Sequence, residues 1–78
     1  MTTNPEKTIY YFDKDPGYTA LQAITKGYFT TLKMADGRTI FLNENGENNL
    51  PINKEATLRF GIVMWGNIAI VGEPKKII

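Results

Sequence analysis

The sequence predicts an all-β fold, a small five-stranded barrel, on three observations. Apolar residues recur mostly with a period of two, the strand signature. The dipeptides Asp36-Gly37 and Gly66-Asn67 stand between such runs, and both supply the positive φ that hairpin turns need. The chain is 78 residues with no cysteine, so one modest core must hold it without disulfides.

The elements follow in order. Thr8–Phe12 is rich in β-branched and aromatic residues and reads as strand one. Asp13-Lys14-Asp15-Pro16-Gly17 stops it with turn residues. Thr19–Thr25 fits a short helix or a short strand, its apolar positions Ala20, Leu21, Ala23 and Ile24 serving either. Strand two is Gly27–Met34, strand three Arg38–Asn43, strand four Ala56–Trp65 and strand five Ile68–Val71. A long polar connection, Glu44–Glu55, separates strands three and four.

Register follows from the second hairpin strand. With a three-residue loop, Ala35-Asp36-Gly37, Met34 pairs with Arg38, Leu32 with Ile40 and Thr30 with Leu42. Tyr28, Leu32, Met34, Ile40 and Leu42 then form a core face, and Phe29, Thr31, Lys33, Thr39, Phe41 and Asn43 face the other way. A two-residue loop would set Lys33 beside Ile40, so the first register is preferred. The run Ala56–Val71 reads as a hairpin that is apolar on both faces near its turn. It needs cover on two sides, from Thr19–Thr25 or from a second chain. The whole, residues 1–78, is one domain with a flexible start (1–6) and a basic tail (75–78).

Composition excludes several functions. Hydrophobic residues are 42% and charged residues 22%, with a formal charge of +1; a non-specific electrostatic binder of duplex DNA is more basic. Without histidine or cysteine there is no thiolate zinc site, no Ser-His triad and no histidine proton shuttle. Asp13, Asp15 and Glu73 form no acid–base pair in sequence, and no glycine-rich phosphate loop is present, so the chain is read as non-enzymatic. Asp13-x-Asp15 and Asn43–Glu47 lack the oxygen ladder of a calcium loop and read as solvated turns; no metal and no cofactor is expected. The longest apolar run, Gly61–Trp65, is too short to span a bilayer, and Met1–Lys7 has no apolar signal core; a cytoplasmic location is expected.

Five strands with a long third connection suit an OB-type barrel or an SH3-like one. Lys26-Gly27-Tyr28-Phe29-Thr30 and Thr39-Ile40-Phe41-Leu42-Asn43 resemble the two RNA-binding motifs of cold-shock domains. The run from Tyr28 through Asp36-Gly37 to Leu42 is similar to S1-type OB domains. The resemblance spans roughly residues 26–72 and implies an OB-fold that binds single-stranded nucleic acid, RNA before DNA.

Independently of it, Phe29 and Phe41 fall on one predicted face with Lys33. Exposed rings beside a cation form a platform on which bases stack. The candidate nucleic-acid residues are therefore Phe29 and Phe41 for stacking, with Lys26 and Lys33 for phosphate. The alternative is that both rings pack beneath Thr19–Thr25 or inside a dimer. A second functional reading is a protein-interaction module, inhibitor or adaptor that binds a protein partner or itself through Val63, Trp65, Ile68 and Ile70 of the final hairpin.

Overall fold

The computed structural model describes residues 7–74. The expected flexible start (1–6) and basic tail (75–78) lie outside the described residues. The chain forms an open four-stranded sheet with three helices, an α+β arrangement, in place of the expected barrel. The elements are β1 (Ile9–Phe12), α1 (Tyr18–Thr25), β2 (Phe29–Lys33), β3 (Thr39–Asn43), α2 (Gly46–Asn49), α3 (Lys54–Phe60) and β4 (Ile68–Val71). Sheet order is β1-β4-β3-β2. The last strand inserts in the middle, parallel to β1 and antiparallel to β3. With β1 and β2 both left as edges, nothing closes, so the OB-type and SH3-like topologies are both wrong.

The error has one main source. Ala56–Trp65, expected as strand four, is the latter part of α3 followed by a loop. Asn53 caps it, its Oδ1 accepting from the Ala56 N–H at 3.0 Å. Gly61 ends it in the left-handed region at φ 74°, its N–H donating to Thr57 O. Leu58, Phe60, Ile62 and Met64 alternate in sequence, but a seven-residue helix followed by a loop carries them, so they do not share a face. Gly66-Asn67 is no hairpin turn either. Gly66, at φ 75°, donates its N–H to Pro51 O at 2.8 Å, and its neighbour Trp65 bridges to Ile52. A Cβ on Gly66 would strike the Leu50 side chain.

Other expectations hold. The β2–β3 hairpin has the expected register, with Leu32 opposite Ile40 and Thr30 opposite Leu42. Gly37 takes φ 94°, and Asp36 Oδ1 accepts from the Arg38 N–H in the loop. The segment left open as helix or strand is α1. Leu21 and Thr25, four apart, face the protein.

β4 is covered on both faces. Ile68, Ala69 and Ile70 have 0% exposure. Ile68 and Ile70 join Ile9, Ile40, Ala56 and Met64 in one core, with Met34, Leu42 and Phe60 packed against it. Alternation puts Ala69 and Phe41 on the opposite face, where α1 lies. The two-sided cover expected for Ile68–Val71 is thus intramolecular, from α1 on one side and α3 on the other. Burying an isoleucine contributes roughly 1.5–3 kcal/mol, so β4 carries a large part of a small domain's stability.

Candidate interaction surface

Tertiary contacts place the sequence-predicted residues unevenly. Phe29, Phe41 and Lys33 share one sheet face, as expected from the register. The Phe29 and Phe41 rings meet edge to face, centroids 5.3 Å apart. Tyr18, at the start of α1, lies on Phe29 at 5.5 Å. Both phenylalanines are half-buried in this cluster, while Lys33 is exposed.

Lys26 is exposed at the end of α1, in the left-handed conformation (φ 67°) with its N–H donating to Gln22 O. Lys26-Gly27, which resembled the opening of a cold-shock motif, is therefore a helix C-cap. Asn43 secures it, donating from Nδ2 to the carbonyls of Thr25 (2.8 Å) and Lys26 (3.3 Å).

The alternative set separates further. Ile68 and Ile70 are core and present no contact surface. Trp65 is half-buried against Gly46. Of the four, only Val63 is exposed. The final hairpin that grouped them does not exist, because its first arm is α3 and the loop after it.

Two concavities bear on function. One, about 680 Å³, lies between β1 and the start of α3. Its polar groups bind one another. Arg59 Nη1 donates to Tyr11 Oη at 2.6 Å, Arg59 Nη2 stands 3.6 Å from Glu55 Oε2, and Thr8 Oγ1 donates to Glu55 Oε1 at 2.9 Å. Beneath them Asn53 is buried and fully bonded. Its Nδ2 donates to the carbonyls of Thr8 (3.1 Å) and Gly66 (2.9 Å), while its own N–H donates to Met64 O (2.7 Å). This end is a fastening of β1, α3 and the approach to β4. Among the described residues no group of three or more histidine, cysteine or carboxylate side chains gathers as for a metal ion.

The second is a groove of about 250 Å³ between β2 and the end of α3, lined by Leu32, Met34, Ile40, Phe60 and Ile62, with Ala35 and Lys33. Lys33 is its single charged residue, at the strand edge, with its side chain on the Phe29–Phe41 face. Ile62 is 54% exposed and Leu58, on the outer side of α3, 85%. Tyr28 and Leu32, expected in the core, are exposed as well. β2 is the last strand of the sheet, and the core cluster under α3 reaches β1, β4 and β3 but draws no residue from β2.

Sequence reasoning missed the part of this groove that α3 supplies. The signals were Asn53 as an N-cap and Gly61 as a C-terminal glycine, which fix a helix whose inward pair is Ala56 and Phe60 and whose outward residue is Leu58. No helix among the described residues is long and apolar enough to cross a membrane.

In comparisons with known proteins, no curated protein and no solved structure matches the chain. A family model described as a domain of unknown function, DUF3846, matches residues 1–77, and the chain belongs to that family.

Proposed function

We propose that this protein is a non-enzymatic interaction module that docks a segment of a partner protein in the groove between β2 and α3. The observation that carries the reading is the groove lined by Leu32, Met34, Ile40, Phe60 and Ile62. Ile62 stands open to solvent at its rim in a domain that has little apolar surface to spare. The lining selects a segment with apolar side chains.

A photo-crosslinking residue at Ile62 or Leu32 of the full chain tests this, with one at Lys14 as control. A discrete hetero-adduct from both groove positions, absent at Lys14, is expected. Equal adducts at all three positions, or none, overturn the reading.

One observation favours a second reading. Phe29, Phe41 and Lys33 do share a face, so single-stranded nucleic acid held there, with Lys26 at its margin, is the competing function. Titration with single-stranded oligonucleotides at low salt separates the two. Salt-sensitive shifts confined to the amides of Lys26, Phe29, Lys33 and Phe41 would favour nucleic acid. An unmoved spectrum favours the groove.

A further inference from the structure

We infer that two copies of this chain associate through β2, edge to edge and antiparallel about a twofold axis at Thr31, joining their sheets into one. This stands on the strand edge alone and does not require the groove to be occupied.

The backbone sets the geometry. Met34 N–H donates to Arg38 O at 2.8 Å and Glu44 N–H to Tyr28 O at 2.9 Å. The even-numbered residues of this strand thus bond to β3. Phe29, Thr31 and Lys33 turn their N–H and C=O groups away from the sheet. Among the described residues no strand lies beyond β2, and Thr30 to Lys33 are all exposed.

Natural edges of this kind are blunted by proline, lysine, bulges or inward charges. β2, Phe29-Thr30-Thr31-Leu32-Lys33, has no proline, pairs with β3 without a bulge, and has one charge, at its end.

The edge is also complementary to itself. With Thr31 opposite Thr31 of the second copy, Phe29 lies opposite Lys33 of that copy, and the reverse. Each outward residue then exchanges backbone bonds with its opposite. Two aromatic–cation pairs flank a threonine pair on one face, combinations that favour strand pairing. The two lysines stand four residues apart, about 14 Å along the strand. Moving the axis to Leu32 would make them diagonal neighbours at about 7–8 Å, so charge selects the Thr31 register.

Sedimentation of the full chain, from about 10 µM to about 1 mM as suits a small interface, is expected to show a monomer–dimer equilibrium. Thr31→Glu puts like charges directly opposite and weakens it about fivefold. Thr31→Pro removes an outward N–H without touching a bond to β3, and abolishes it. The chain has no cysteine, so Thr31→Cys gives a single thiol, which should oxidise to a covalent dimer much faster than Tyr28→Cys.

A monomer throughout that range overturns the inference. So does a dimer indifferent to Thr31→Glu, or equal oxidation at positions 28 and 31. Crosslinking from Ile62 in the Thr31→Glu chain reads the groove separately, so loss of the dimer and loss of the groove partner are distinguishable.

Discussion

The two edges of the sheet differ in how they end. At β1, side chains tie the strand to α3. Tyr11 is held by Arg59, Arg59 meets Glu55, Glu55 accepts from Thr8, and Asn53 joins Thr8 to Gly66 underneath. At β2, the strand runs out into solvent, with Lys33 its only charge and an apolar groove beside it. The same sheet thus has one edge tied to a helix and one left able to bond. In a domain this small, side chains spent fastening one end are unavailable to cover the other. The uncovered end is the natural place for a partner.

The contrast predicts that substitutions near β1 act on stability and substitutions at β2 act on association. The largest stability effect is expected at Asn53. Asn53→Ala removes the α3 cap, takes the side-chain donor from the Gly66 carbonyl and leaves the Thr8 carbonyl with the Ile68 N–H alone. A loss of about 2–3 kcal/mol in urea unfolding is expected. Against a core that rarely supplies more than roughly 3–5 kcal/mol, that brings the chain close to unfolding. A loss below about 0.5 kcal/mol would show that β1 is not fastened there.

Gly66→Ala comes next. The residue sits at φ 75° and its new methyl would meet Leu50, so about 1–2 kcal/mol is expected in the same assay. Arg59→Ala opens the exposed part of the fastening and should cost only about 0.5–1 kcal/mol, because these pairs are screened by water. An effect as large as that of Asn53→Ala would move the weight of the β1 edge from the buried asparagine to the surface network.

The smallest effect belongs to the β2–β3 turn. The Arg38 guanidinium and backbone N–H bond the Asp36 carboxylate, and these bonds hold its pKa below the ordinary value. A carboxyl whose pKa is depressed in the folded state stabilises above its unfolded pKa and loses that contribution as pH falls through the folded value. Asp36→Asn should therefore melt slightly below the wild type near neutral pH and together with it in strong acid. A gap that persists in acid would show that the carboxylate's charge is not the cause.

Much of the molecule was legible along the chain, but unequally. The hairpin was, register included, because Lys33 cannot face Ile40 in a core and Gly37 marks the turn. So was the need to cover Ile68–Val71 on both faces. Ala56–Trp65 was not, because a helix of two turns shows little of its period and Leu58, Phe60, Ile62 and Met64 happen to alternate. That misreading created a hairpin that does not exist and put the buried Ile68 and Ile70 into a surface. Of the candidate nucleic-acid residues, Phe29, Lys33 and Phe41 were rightly placed on one face. That Tyr18 would lie on Phe29 depended on where α1 docks.

The sequence by itself determined what local chemistry controls: the turn at Gly37, the apolar run of β4 and the alternation that sorts the faces of β2 and β3. Only the tertiary structure decided the order of the strands. β4 pairs with β1, from the far end of the chain, and inserts between it and β3. That choice leaves β2 as a bare edge. It rests on which packing buries the most apolar surface around Ile68 and Ile70, a property of the assembled chain that no short window of residues contains.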